Sequence, residues 1–307
     1  MSFKHQPIPE RLNIFLAVMI VSLCLLILWA AGQVTSWWGV GFLSVAYAFV
    51  MSAGYALGHE AEHDIFHSRK VINDLGGAAL GIFFPASFQL RRQGHIGHHL
   101  RNRSDDEAFD LFLPGESRLW KFLQFYGILS GFFWLVIVLS NIPALLWPTW
   151  LAQRKIGFDR ATVALQESLN PKYFRLIQLE ALAIFLVHGS MIYCFHIPFW
   201  RYFTVLCGFG FLWSTLQYIH HYGTVRDVQK GASNLRTWRI FDLVWLNHHW
   251  HLNHHLSPTT PWIYLPQVKV EESSPRLGFW EAYFRMWRGP RPTEEHVPNR
   301  YAGKITR

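Results

Sequence analysis

Between Leu12 and Gly58 the chain carries no Asp, Glu, Lys or Arg. A stretch that long and that apolar is room for two helices of about 20 residues, each able to cross a hydrocarbon layer. A second such region runs from Ala181 to Tyr218, interrupted only by Arg201. Each region breaks where a hairpin turn is expected, at Gly32–Trp38 and at His196–Arg201. Only 16% of the 307 residues are charged and 51% are hydrophobic, against roughly 25% charged in an average globular chain. Lys4 and Arg11 precede the first helix and no small-residue cleavage site follows it. It therefore reads as a retained anchor. The expected fold is all-α: a polytopic membrane protein with two transmembrane hairpins, about four spans or at most six, forming one domain over residues 1–307. A cytoplasmic helical cap completes it.

Two apolar segments complicate the count. Gly76–Leu90 is short for a crossing and contains Pro85, which breaks a helix, so it is expected to be interfacial or re-entrant. The segment 122–153 is uncharged, and Asn141-Ile142-Pro143 and Pro148 predict a bent hairpin or re-entrant pair. Arg154, Lys155, Arg160, Lys172 and Arg175 follow it. That loop is expected to stay cytoplasmic, so the segment should cross an even number of times or not at all.

The net charge of +8 would suit a nucleic-acid partner if it were patterned as a stripe. It is not. With two hairpins, every Lys and Arg except Arg201 falls on one side, which puts both termini and the sites between them in the cytoplasm. No nucleic-acid motif accompanies the charge. Cys24, Cys194 and Cys207 lie inside apolar spans with no metal or haem spacing and read as small buried residues.

All but four of the 17 histidines fall into GHEAEHDIFH (58–67), HIGHH (95–99), HH (220–221) and HHWHLNHH (248–255), at or beyond the ends of uncharged stretches. His188 and His196 read as core or turn residues. Neutral imidazole is the commonest metal ligand among side chains. Residues four apart share a helix face, so each of His59/His63, His95/His98/His99 and His251/His254/His255 can aim its rings at one point. That is more nitrogen than one ion takes, and a dinuclear site at a membrane surface is expected. Ligating histidines donate their second N–H to carboxylates or carbonyls. Candidates are Glu60, Glu62, Asp64, Asp105, Asp106, Glu107, Asp110 and Asp242, with Asp64 and Asp106 preferred. A histidine-rich membrane metal transporter is the alternative of another class. It should place ionisable groups near mid-span, whereas here they cluster at span ends.

HEAEH, HIGHH and HLNHH, in that order between hydrophobic hairpins, resemble the three histidine boxes of the membrane fatty acid desaturase superfamily. YIHHYGTVR (218–226) is similar to the YIEHYG segment of membrane alkane hydroxylases. In that register His221 is implied to be the ninth ligand, and His220 stands where a carboxylate is usual. Asn247 keeps an asparagine that precedes the last box. The second box is HxxHH, as in desaturases, rather than HxxxHH.

The resemblance implies two iron ions held by His59, His63, His95, His98, His99, His221, His251, His254 and His255. Asp64, Asp106, His220 and Asn247 would stand behind the ligands. It implies O2 as co-substrate and oxidation of an unactivated C–H bond of a lipid or fatty acyl chain, with desaturation as the leading outcome. A hydroxylase, a carotenoid ketolase or hydroxylase, and an alkene-forming fatty acid decarboxylase share the resemblance. Electrons would come from a separate ferredoxin, rubredoxin or cytochrome-type carrier, and the setting would be a bacterial inner membrane with the site on its cytoplasmic side. The faces of Ala46, Ala53, Gly54, Gly208 and Trp213 are the expected lining of a substrate tunnel.

Overall fold

Helices form wherever charge is missing. The computed structural model describes residues 6–153, 159–268, 276–301 and 303–306. Lys4, Arg154 and Lys155, which entered the charge argument, lie outside the described residues. Helix α1 spans Glu10–Gln33 and α2 spans Trp37–Glu62. Ser36 caps α2 by accepting from the Gly39 N–H at 3.1 Å, satisfying one of the donors a helix start leaves free.

The next two helices, α3 (Lys70–Phe83) and α4 (Phe88–Arg101), meet at 101°. Pro85 lies in the break, as expected. A broken helix strands backbone donors and acceptors that lipid cannot satisfy, and side chains from three other elements supply partners. Tyr47 donates to the Phe83 carbonyl (2.7 Å) and Asn141 Nδ2 to that of Pro85 (2.9 Å). Glu180 accepts from Ser87 Oγ (2.6 Å) and from the Gln89 N–H (2.9 Å).

Helices α5 (Arg118–Leu129), α6 (Phe132–Leu139) and α7 (Asn141–Leu146) form the second bent pair, at 87°. The bend is not at Asn141–Pro143. It sits at Gly131, whose φ of 91° lies in the left-handed region that a residue without Cβ enters freely. Asn141 instead holds the α3–α4 tip. Two short helices follow, α8 (Pro148–Leu151) and α9 (Arg160–Ser168).

The second hairpin is α10 (Phe174–Cys194) and α11 (Phe199–Leu216). Helix α11 packs along α2 more extensively than any other pair, because Gly208 lets its backbone approach Ser44 where a Cβ would collide. Gly54 likewise faces Ile20 and Met51. Both glycines stand at helix-packing positions.

Among the described residues, three helical stretches, Glu10–Gln33, Trp37–Glu62 and Pro171–Cys194, are long and apolar enough to cross a membrane, or up to five spans if each bent pair counts as one. Helix α11, at 18 residues and carrying Arg201, is shorter than these three. The outer faces expose Phe15, Val18, Phe42, Leu186 and Phe211, apolar area of a kind that lipid rather than water covers.

Beyond the ends of α2 and α11 that lie away from the hairpin turns come α12 (Arg239–Val244), α13 (His251–Leu256) and α14 (Phe279–Met286). Two parallel pairs of two-residue strands, 111–112 with 291–292 and 235–236 with 277–278, tie this region together.

Candidate metal centre

Adjacent residues on a helix diverge by about 100°, so an HH pair cannot aim both rings at one point. This divides the boxes. On α4, His95 and His99 share a face and turn to one group of imidazoles, while His98 turns to another. On α13, His251 and His255 join the second group and His254 the first. With His59 and His63 from the end of α2, the first cluster is His59, His63, His95, His99 and His254. With His221 from the turn after α11, the second is His98, His221, His251 and His255. Within each cluster the ligand atoms lie within 4.8 Å of one another. The expectation that each box serves a single point is corrected for both HxxHH boxes, which split between the two clusters.

The nitrogens converge closely. Nε2 of His63 is 2.8 Å from that of His95, which is 3.0 Å from that of His99, which is 2.9 Å from that of His254. In the second cluster the Nε2 atoms of His221 and His251 are 3.2 Å apart. Nitrogens bound at about 2.0–2.1 Å to one ion stand near 3 Å apart, so this spacing fits a metal. Nε2 of His59 and both ring nitrogens of His255 are buried without a partner among the described residues, a costly arrangement for polar atoms that an ion would relieve.

Burial, with neighbouring imidazoles adding to it, holds His251, His254 and His255 well below the ordinary histidine value. Burial does the same to His221. These rings are therefore neutral near pH 7, the form that binds metal.

Behind the rings stands one of the wider set of candidate carboxylates, not either of the two preferred. Glu107 Oε2 meets His98 Nδ1 at 2.8 Å, and its other oxygen accepts from Arg101 Nε at 3.0 Å. Burial raises the Glu107 carboxyl pKa, but bonding to His98 and Arg101 outweighs it and the net shift is downward. The preferred carboxylates sit elsewhere. Asp64 is tied to Arg92 and Lys70, and Asp106 accepts from Asn299 at 2.9 Å. Asn247 donates to the Trp262 carbonyl at 3.1 Å in a stretch where both it and Leu246 have positive φ. His220 Nδ1 pairs with the Ser233 carbonyl (3.1 Å) and its ring centroid is 4.6 Å from that of His251. His221 Nδ1 pairs with the Gly231 carbonyl at 2.8 Å, leaving Nε2 toward the cluster.

Of the supports of the His221 turn, Asp110 was among the candidate carboxylates, whereas sequence reasoning passed over Arg103 and Tyr218. Asp110 accepts from the Gly223 N–H at 2.8 Å and is bonded to Arg103 and Tyr218. It also passed over Asn253, inside the third box, whose Nδ2 donates to the Leu265 carbonyl at 2.8 Å and whose Oδ1 accepts from Asn234 at 2.8 Å. A polar residue between ligating histidines was the available signal. His67, the last histidine of the 58–67 stretch, stands outside both clusters and accepts from the Arg69 N–H at 2.9 Å. His248 lies 5.0 Å, ring to ring, from both His59 and His251, touching one member of each cluster.

Helices apolar and long enough to cross a membrane, with two adjoining groups of histidines that could each hold a metal ion, point to the class of membrane proteins with histidine-rich sites. The fatty acid desaturase family model matches residues 35–285, and the chain belongs to that family. No curated protein matches it.

Proposed function

We propose that this protein is an oxidoreductase that uses O2 to oxidise an unactivated C–H bond of a fatty acyl or lipid chain, with desaturation as the outcome. The observation that carries this reading is the division of nine imidazoles into adjoining groups of five and four at the ends of apolar helices, in a chain of the fatty acid desaturase family. The nitrogen donors fit two ions, and iron is the metal this reading assigns, since zinc has no redox chemistry.

His59, His63, His95, His99 and His254 would hold one ion, and His98, His221, His251 and His255 the other. When bound, the pair supplies oxygen activation. The protein's own share is to keep the rings neutral by burial, to orient His98 through Glu107 and His221 through the Gly231 carbonyl, and to present the clusters where the membrane helices end. Electrons would arrive from a separate ferredoxin, rubredoxin or cytochrome-type carrier. Charge asymmetry supports a cytoplasmic site, with Arg201 set apart near the end of α1, 3.4 Å from the Gly32 carbonyl; a bacterial inner membrane is the setting this reading assigns.

The test is metal analysis and lipid profiling of cells expressing the wild type and His254→Ala. About two irons per chain and a new unsaturated lipid, both reduced in the variant, are expected. About one zinc per chain from iron-replete cells would defeat the reading.

A further inference from the structure

Helix α14 divides its surface three ways. Successive residues turn by about 100°, which puts Ala282 and Met286 on one face, and both are buried. Phe279 and Tyr283 flank them, half-buried. Phe279 lies 5.5 Å, ring to ring, from His249, and Tyr283 Oη pairs with Thr215 Oγ1 in the last turn of α11 at 3.3 Å. A second face carries Trp280 and Phe284, 63% and 64% exposed, and Trp287 continues it at 45%. The third holds Glu281 and Arg285, with Arg288 following. Three large aromatic side chains exposed on one flank mark a surface that something apolar covers.

The apolar flank continues onto α5. Tyr126 Oη donates to the Trp287 carbonyl at 3.0 Å, and Leu119 and Leu123, which share a face of α5, are both exposed. Helix α5 meets the Phe132–Leu146 stretch at 87°. If that stretch enters the bilayer along its normal, α5 lies nearly in its plane. A helix with Trp, Phe or Leu on one face and basic residues on another suits the boundary between head groups and acyl chains, where Trp and Tyr collect. The basic flank is not consumed within the chain. No described carboxylate pairs with Arg285 or Arg288, and Arg291, 3.7 Å from Asp110, keeps half of its side chain exposed. The guanidinium ends of Arg285 and Arg291 both come within reach of Gly223, so these cations gather beside the aromatic flank.

We infer that α14, with α5 beside it, is an in-plane membrane anchor. Trp280, Phe284 and Trp287 enter the head-group boundary, and Arg285, Arg288 and Arg291 meet the phosphates of anionic lipid. This goes beyond the oxidase reading and does not depend on it. The cap is thereby seated in the bilayer surface rather than held above it. The anchor also reaches the second cluster. Gly289, just past α14, accepts from Tyr222 Oη at 2.9 Å, and Tyr222 directly follows His221. A bilayer that seats α14 therefore steadies the turn that carries His221.

The experiment uses the full chain in lipid nanodiscs. In a Cys194→Ser/Cys207→Ser background, which leaves only the buried Cys24, a fluorophore is placed at Phe284→Cys or at Lys230→Cys. Lipid brominated near the top of its acyl chains should quench the label at 284 several-fold more than the label at 230, which aqueous iodide should quench instead. Quenching of the 284 label by iodide alone would overturn the anchor. Amide exchange of the wild type needs no variant. Adding phosphatidylglycerol to phosphatidylcholine discs should slow exchange over residues 279–287 and 218–224, and Arg285→Glu/Arg288→Glu should cancel that effect. Slowing at 279–287 with none at 218–224 would overturn the link to the His221 turn. Wild-type exchange indifferent to phosphatidylglycerol would overturn the lipid assignment of the arginines, and weaker binding of an acidic ferredoxin by the double variant would then give that flank to a protein partner.

Discussion

The two imidazole clusters are built from the same residue type yet supported differently. The first draws its rings from the end of α2, from α4 and from α13, so three helices position it. The second takes one ring from α4 and two from α13, but its fourth, His221, comes from an irregular turn. That turn is held by Asp110, Arg103 and Tyr218, and Glu107 braces His98. Helical spacing alone brings His59 to His63, His95 to His99 and His251 to His255, whereas the second cluster is completed only if a loop network closes around His221. The first should therefore be the more robust metal site and the second the one that substitution tunes.

The largest effects should come from removing one ring from each side. His254→Ala should deplete the first site and His255→Ala the second, each abolishing turnover. Iron stoichiometry with Mössbauer spectra would show different halves of the signal lost. Identical spectra from the two variants would break the assignment of adjacent histidines to different ions.

The irregular turn supplies the next contrast. His221→Ala should be inactive and short of one ion. His220→Ala removes a ring that stands behind His251, and should keep measurable turnover with a loss of about 10–100-fold. Turnover assays with metal analysis would expose the reverse ranking.

Acidification tests both clusters together. Burial keeps His251, His254 and His255 far below the ordinary histidine value of about 6.5. The unfolded chain therefore takes up protons that the folded one refuses, and stability declines as pH falls below about 6.5, continuing down toward the folded values. Burial lowers His248 to about 4 and His249 to about 3, which extends the same loss over that range. Iron retention and thermal unfolding followed from pH 7.5 to pH 4 should decline together. Unchanged stability over that range would contradict the neutral, buried state of these rings.

Carboxylates give the smallest and sharpest comparison. Glu107→Gln should weaken iron binding at the second cluster by about 10–100-fold and leave the first intact. Asp64→Asn should alter neither, because Asp64 serves Arg92 and Lys70. Iron affinity measured for both variants would decide whether the brace is Glu107 or the earlier carboxylate.

Much of this was legible in residue order. Uncharged stretches placed α1, α2, α10 and α11, since a backbone in hydrocarbon must satisfy itself by helix formation. Pro85 marked the α3–α4 break because it removes a donor and clashes with the preceding turn. The bend at Gly131 was hidden by Asn141 and Pro143, which looked like the stronger breakers. Asn141 is instead recruited by Pro85 and Ser87, far away in sequence. The same holds for the carboxylates. Glu107 adjoins Asp106, and only the folded chain shows which of the two reaches His98.

Order and spacing by themselves determined which histidines could act together, because positions four apart share a helix face whatever the helix packs against. Only the tertiary structure decided how they divide into five and four and which carboxylate braces them. Those outcomes depend on the angles at which α2, α4 and α13 meet, and a helical period carries no information about the direction of another helix.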